Sequence, residues 1–195
     1  MRPWFSVFAA SLLFLLALPS RDNADVEASP SLRRVPIERM PPGAFPGLPR
    51  RITRALEARG CTIPQEWQDP KSADYRKPNN VIRGSFRKRG QTDWAVLCSR
   101  ADSSGIVIFW GGKPDHPTEM GRSRDADWTQ LIDERGNVVF SRLLLVASPR
   151  RILRDNPNPG VAIPLHDGIE DYFDGKASSI YYFEKGRLLE LMGAD

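Results

Sequence analysis

The chain has 195 residues, of which 41% are hydrophobic and 27% charged, and this size and composition suit one folded domain with appended segments. The 28 basic and 24 acidic residues give a formal charge of +4, and the two signs are interspersed along the sequence. A nucleic-acid-binding protein usually clusters its basic residues with exposed aromatic ones, so we expect no nucleic-acid partner.

The first segment, residues 1–20, predicts a signal peptide. Arg2 supplies the positive charge, and the apolar run from Phe5 to Leu18 fits the hydrophobic region of a signal while being short for a membrane-spanning helix. We expect cleavage between Ser20 and Ser29, giving a periplasmic or secreted protein without a stable membrane anchor. The alternative is an uncleaved single-pass anchor.

A proline-rich stretch follows the signal. The twenty residues from Pro30 to Pro49 contain six prolines, which favour extended chain and block helix formation. We therefore expect residues 21–47 to form a poorly ordered linker. The remainder, residues 48–195, is expected to form a single β-rich globular domain.

A short helix is predicted at the start of this domain. Pro49 suits the first turn of a helix, and Ile52 and Leu56 are spaced four residues apart on one apolar face. Gly60 suits the position just beyond the helix end, where the backbone takes a positive φ. Arginines cover the other face, which we interpret as a solvated surface.

From Val81 onward the sequence predicts strands. The apolar and β-branched runs are DWAVLCSR, GIVIFWGG, NVVFSRLLLVAS, SSIYYFE and RLLELM. The last two flank Lys185-Gly186, a pair typical of a tight hairpin. The run RDADWTQLID predicts a short helix, and TEMGRSRDAD before it predicts a loop. The expected fold class is therefore α+β, an antiparallel β-meander sheet with one or two short helices.

Cys61 and Cys98 are the two cysteines of the chain, and both lie in the predicted domain. In an oxidising compartment we expect a disulfide between them. The alternative is a reactive thiol, which needs a nearby base and a lowered pKa. Because Cys98 lies within the apolar strand pattern WAVLCS, its position favours a structural role.

The stretch GSFRKRGQTDWAVL resembles the FG-GAP and VCBS type of hairpin found in secreted bacterial proteins and propeller blades. The matching residues are Gly84, Phe86, Gly90, Asp93, Ala95, Val96 and Leu97. In that family several Asp or Asn side chains of the loop coordinate calcium, whereas Arg87, Lys88 and Arg89 of this chain would repel a cation. The resemblance therefore implies a hairpin in which Phe86 packs under the turn and Asp93 accepts backbone hydrogen bonds, with no metal or cofactor.

The C-terminal third contains candidate catalytic residues. His166, Asp167, Glu170 and Lys176 are close in sequence, and a helical turn from Asp167 to Phe173 would place His166 and Glu170 on one face. A histidine and a carboxylate can perform acid–base catalysis or hold a metal, although a structural role in a loop is the alternative for His166. These residues, with the following KAS and aromatic strand, resemble uncharacterised secreted bacterial proteins, a resemblance that implies no activity.

None of the HExxH, GxSxG and P-loop motifs occurs in the sequence. Trp110 and Tyr182 are candidate ligand contacts, because exposed aromatic rings stack on sugars or anchor protein interfaces. We therefore expect an exported, non-catalytic domain that binds a protein or a cell-envelope polymer. One alternative is a hydrolase that uses His166 with Asp167 or Glu170, with or without a metal, and another is a purely structural envelope protein.

Overall fold

The computed structural model of the chain describes residues 31–72, 75, 78–154 and 165–192, so the predicted signal peptide and its cleavage region lie outside the described residues. The described residues form two α-helices, α1 (Arg50–Ala58) and α2 (Pro149–Arg154). The strands before α2 are β1 (Arg33–Arg34), β2 (Arg39–Met40), β3 (Ile63–Pro64), β4 (Val81–Gly84), β5 (Asp93–Arg100), β6 (Ser103–Phe109), β7 (Thr118–Arg124), β8 (Thr129–Leu131), β9 (Asn137–Phe140) and β10 (Arg142–Ala147). The strands after α2 are β11 (Gly168–Phe173), β12 (Ala177–Glu184) and β13 (Arg187–Met192).

Two four-stranded sheets contain most of these strands. The first sheet has the order β4-β5-β6-β7 and the second sheet the order β10-β11-β12-β13, with antiparallel neighbours throughout. Two smaller sheets, β1-β9-β8 and β2-β3, complete the fold. The antiparallel, β-rich class with two short helices agrees with the sequence prediction, but the strands divide between two large sheets instead of forming one.

The two large sheets pack face to face, because successive side chains of a strand point to opposite faces. Leu97 and Ile106 of the first sheet pack against Leu144 and Ile169 of the second. On its other face the first sheet packs against the apolar side of α1, and the second sheet packs against Ile152 of α2. The order of layers is therefore α1, first sheet, second sheet, α2.

The segment before α1 is packed, in contrast to the predicted linker. Pro42, Phe45 and Leu48 are buried, and Phe45 and Leu48 belong to the core beneath α1. The prolines do prevent a long helix, but the apolar side chains between them cover the first sheet. The linker prediction was therefore wrong for residues 31–47, and its earlier part, residues 21–30, lies outside the described residues.

Two further elements differ from the sequence prediction. The expected loop TEMGRSRDAD contains β7, which pairs with β6 as the edge strand of the first sheet. The expected helix RDADWTQLID is reduced to one turn of 3₁₀ helix, Asp125–Trp128, and then continues as β8. In both places pairing with a neighbouring strand outweighs the local preference of the sequence.

The disulfide between Cys61 and Cys98 is formed, with 5.1 Å between the two Cα atoms. It joins the segment after α1 to the middle of β5, and Cys98 is fully buried. A disulfide fits a periplasmic or extracellular compartment. Within the described residues no helix is both long enough and apolar enough to cross a membrane.

Arg142 is completely buried between the two large sheets. Its Nη1 donates to the carbonyl and the hydroxyl of Ser104 at 2.9 and 3.1 Å, and its Nη2 donates to the Gly121 carbonyl at 2.8 Å. Its guanidinium carbon also lies 4.1 Å from the ring centroid of Trp128. One side chain of the second sheet is thereby bonded to two strands of the first.

Asn80, just before β4, provides another link between the sheets. The residue is buried and has a φ of 68°, a conformation that asparagine tolerates better than most residues. Its Nδ2 donates to the carbonyls of Pro64 and Arg142 at 2.7 and 3.0 Å, and its Oδ1 accepts from the backbone N–H of Leu144 at 2.8 Å. The side chain therefore bonds to the edge of β10 in the way that a neighbouring strand would.

Candidate functional site

Of the C-terminal candidates, Glu170 lies on a strand and the others flank it, because Gly168–Phe173 forms β11 instead of the helical turn considered from the sequence. Asp167, just before β11, accepts from the backbone N–H of Ser85 in the first sheet at 2.9 Å. Glu170 is buried on the other face of the second sheet and accepts from Nη2 of Arg151 in α2 at 2.9 Å. The two carboxylates therefore point to opposite faces.

His166 is held by the main chain. Its Nδ1 lies 2.9 Å from the carbonyl oxygen of Asp167, and its Nε2 lies 2.7 Å from that of Phe183. Both ring nitrogens are thus occupied by backbone contacts. The structure provides no acid–base pair between His166 and either carboxylate, and the side chain serves to hold the start of β11 against the end of β12.

Lys176 lies in the turn between β11 and β12, at the opposite end of this hairpin from His166. The six residues of β11 separate the two positions, which corresponds to about 20 Å. Nζ of Lys176 lies 4.4 Å from the ring centroid of Phe173. Lys176 and Glu170 do line one cavity of about 500 Å³, but His166 and Asp167 do not contribute to it.

The loop between β4 and β5 has the local structure that the hairpin resemblance implied. Phe86 is buried beneath the turn, and Gly90 has a φ of 78°. Asp93 accepts from the backbone N–H groups of Arg87 and Gly111 at 3.0 and 2.6 Å, and from Gln91 at 2.5 Å. Both of its carboxylate oxygens are used in this way. Within the described part of the chain no three His, Cys, Asp or Glu side chains are grouped so that they could hold a metal ion.

The two aromatic candidates have different positions. Tyr182 is only 4% exposed and packs in the core beside α2, so the structure contradicts its assignment as a ligand contact. Trp110 is half-buried, donates from Nε1 to the hydroxyl of Thr118 at 2.8 Å, and packs with its ring centroid 5.7 Å from that of Phe183.

An open groove of about 670 Å³ lies where the edges of the two large sheets meet. Its floor is built from β4, β9 and β10, and its walls come from the segment after β3 and from the turn after β11. The lining contains several of the large hydrophobic side chains that the described structure leaves exposed; these are Trp67, Tyr75, Ile132 and Leu145. We call this feature the edge groove.

One wall of the edge groove is fixed by a buried amide network. The backbone N–H of Glu66 donates to Oδ1 of Asn79 at 3.0 Å, and the N–H of Asn79 donates to Oε1 of Gln65 at 2.8 Å. The N–H of Trp67 donates to the Phe140 carbonyl at 2.8 Å. Because these bonds hold the backbone, the Trp67 ring is presented from a defined position.

The edge groove continues towards α2. Leu145 and Tyr172 line both the edge groove and the smaller cavity that contains Glu170 and Lys176. At the far wall Nε2 of Gln130 donates to the Asp174 carbonyl at 2.8 Å, and the Tyr172 hydroxyl accepts from the Gly175 N–H at 3.2 Å. Together the two cavities form one concave surface, whose lining combines apolar side chains with polar and charged ones.

No family model, no curated protein and no solved structure matches this chain. The geometry of the concave surface is therefore the basis for a functional argument. Sequence reasoning did not single out Trp67, Tyr75 or Leu145, of which the first two lie in the connection between β3 and β4 and the third lies in β10. The sequence offers one indication for two of them: Trp67 and Tyr75 are aromatic residues that fall between predicted elements, in a stretch with many polar residues.

Proposed function

We propose that this protein is an exported, non-catalytic domain that binds an extended segment of a protein or of a cell-envelope polymer in the edge groove. The observation that carries the proposal is the gathering of exposed Trp67, Tyr75, Ile132 and Leu145 along one open groove of about 670 Å³. Such clusters of exposed apolar side chains in a concavity are typical of binding sites.

Several features support export. The N-terminal sequence has the pattern of a signal peptide, and the Cys61–Cys98 disulfide is typical of proteins outside the cytosol. The proposed mature protein begins between Ser20 and Ser29 and operates in the periplasm or outside the cell.

The non-catalytic part of the proposal rests on the dispersal of the candidate residues. His166 contacts two backbone carbonyls, Asp167 bonds to Ser85, and Glu170 pairs with Arg151 on another face. A general base must reach the proton that it abstracts, and a hydrolase needs its base and its carboxylate together. The alternative of a hydrolase that uses these residues therefore has no geometric support in this arrangement.

The open shape of the groove favours a long ligand over a small enclosed one. Aromatic rings supply large contact area at a low entropic cost, and they stack on sugar rings as well as on apolar side chains. Trp67 and Tyr75, each 38% exposed, provide such anchors on one wall, opposite Leu145 of β10.

The proposal is tested with two probe sets: a displayed library of extended peptides, and soluble fragments of envelope glycans. We expect one set to yield ligands whose affinity falls about 30-fold in Trp67→Ala, because a buried aromatic anchor contributes about 2 kcal/mol. The same ligands should bind more weakly to Leu145→Asp.

The matched control is Met192→Asp, which introduces the same charge at an apolar side chain that is 74% exposed and outside the groove. Binding to this variant should equal binding to the wild type. If neither probe set binds, or if ligands bind equally to all three variants, the groove is not the binding site and the proposal fails.

A further inference from the structure

Three connections that are far apart in sequence meet at one end of the molecule. They are the loop between β4 and β5, the segment from Trp110 to Pro117, and the tight turn between β12 and β13. Arg87 belongs to the first of these connections. Its guanidinium carbon lies 5.9 Å from the ring centroid of Trp110 in the second connection and 5.1 Å from that of Phe183, just before the third. We call this region the basic end.

The start of α1 lies beside the same region. A β-carbon placed on Gly112 would be 3.6 Å from Nη2 of Arg51 and 3.8 Å from the carbonyl oxygen of Thr92. Arg51 is therefore located next to the ends of β5 and β6, and it adds a fourth element to the basic end.

The basic end has a strong excess of positive charge. Its seven basic side chains are all exposed, namely Arg51, Arg87, Lys88, Arg89, Lys113, Lys185 and Arg187. Its four acidic side chains are Asp93, Asp115, Asp167 and Glu184, which leaves a net charge of +3 in a chain whose total is +4. Asp93 is buried and Asp167 is bonded to Ser85, so both are directed inward.

Within the part of the domain that the structure describes, the exposed basic side chains have no anionic partner in an ion pair. Among the described residues, none of the seven forms an ion pair, whereas Arg39, Arg100 and Arg122 elsewhere on the surface do. Sequence alone shows mixed charges, because the seven residues come from four separate segments. Folding brings them to one end and creates a positive surface potential there.

We propose that the basic end docks the domain reversibly on an anionic phospholipid surface. Arg87, Lys88, Arg89, Lys113 and Lys185 lie on three separate connections at this end, an arrangement that favours contact with an extended charged surface. None of the seven basic side chains lines the edge groove or the cavity that contains Glu170 and Lys176. Half-buried Trp110 beneath Arg87 adds an aromatic ring of the kind favoured at membrane interfaces.

This docking is compatible with the edge groove but independent of it. The turn after β11, with Asp174, borders the edge groove, and it lies at the opposite end of the second sheet from the Lys185-Gly186 turn. A domain bound through its basic end therefore keeps that part of the groove away from the lipid. Each basic residue close to an anionic bilayer strengthens binding about fivefold, which corresponds to reversible attachment and not to a membrane anchor.

The test is co-sedimentation of the full chain with phosphatidylcholine vesicles, with and without phosphatidylglycerol, at low and high salt. We expect the phosphatidylglycerol-dependent part of the binding to fall at least tenfold in the double variant Lys88→Glu and Arg89→Glu, and to disappear at high salt. Any contribution of the N-terminal apolar segment is the same in every variant and does not require phosphatidylglycerol.

The matched control is the double variant Arg33→Glu and Arg34→Glu, because these exposed residues of β1 give the same change in net charge at another site. It should bind within about twofold of the wild type. Equal losses in both double variants would show that net charge alone matters and would overturn the proposal. Wild-type binding that does not depend on phosphatidylglycerol, or tighter binding to soluble polyglutamate than to vesicles, would also overturn it.

Discussion

Arg142 and Asp171 form a bidentate ion pair in the space between the two large sheets, with Nε 2.8 Å from Oδ1 and Nη2 2.7 Å from Oδ2. Both side chains are almost completely buried. Because Arg142 also bonds to Ser104 and Gly121, each of its N–H groups has a partner. The pair therefore satisfies its own charges and sets the position of the second sheet against the first.

Removal of one partner should destabilise the fold strongly. We expect Asp171→Ala to lower the free energy of unfolding by about 4 kcal/mol, because it leaves a buried guanidinium without its counter-charge. Urea unfolding measures this loss. Glu119→Ala, which removes an exposed carboxylate from an ion pair with Arg100, is the control and should cost less than about 1 kcal/mol. Equal effects of the two substitutions would contradict the assignment.

The disulfide should stabilise the folded state by restricting the conformations of the unfolded chain. Cys61 and Cys98 are 37 positions apart, and closing a loop of this length stabilises by about 4 kcal/mol in the chain-entropy model, which is an upper value. The double variant Cys61→Ser and Cys98→Ser should lose up to this amount, and reduction of the wild type should have the same effect. Two free thiols in the unfolded, unreduced protein would refute the bond.

The hydroxyl of Tyr181 should lose its proton at a higher pH than an ordinary tyrosine does. Burial, followed by the nearby carboxylates of Glu190 and Asp171, raises the pKa of Tyr181 to about 12 from its ordinary value of 10.0. The folded state thus keeps this proton to a higher pH than the unfolded chain does. Its contribution to stability is complete below pH 10.0 and is lost as the pH rises from there through about 12.

The measurement is the difference between the tyrosinate absorbance titrations of the wild type and Tyr181→Phe. The difference curve should rise well above pH 10.0 in the folded protein and move to about pH 10 in urea. A difference curve centred near pH 10.0 in the folded protein would show that Tyr181 is freely solvated.

Asn80 should be a costly position to change. Asn80→Ala leaves the Leu144 N–H and two carbonyls without their partner, and alanine tolerates a φ of 68° less well than asparagine, so we expect a loss of about 3 kcal/mol. Asn80→Gly loses the same bonds without the steric cost, and it should be less destabilised than the alanine variant. A higher stability of Asn80→Ala than of Asn80→Gly would contradict the positive φ at this residue.

Local parts of the fold could be predicted from the sequence. The helix α1 begins after Pro49, its buried residues are Ile52 and Leu56, and Gly60 follows with a φ of 67°. The turn Lys185-Gly186 has positive φ at both residues and joins β12 to β13. These features depend on neighbours a few residues away, and that information is present in a short stretch of sequence.

Features that depend on distant contacts could not be predicted. Phe45 and Leu48 are buried because they meet the first sheet, which the proline pattern around them does not reveal. The run NVVFSRLLLVAS divides at Ser141 between two different sheets, although the residues on both sides of Ser141-Arg142 are similarly apolar. The candidate site was missed for the same reason, since the walls of the edge groove come from segments that only the tertiary fold places together.

The contacts of Asn80 have a consequence for the behaviour of the protein at high concentration. As the outermost strand of the second sheet, β10 would offer its backbone groups to a strand of another molecule. Asn80 already occupies the Arg142 carbonyl and the Leu144 N–H on that side. Its amide group thus acts as a cap against intermolecular strand pairing, and chains that lack it should self-associate through β10 before they unfold.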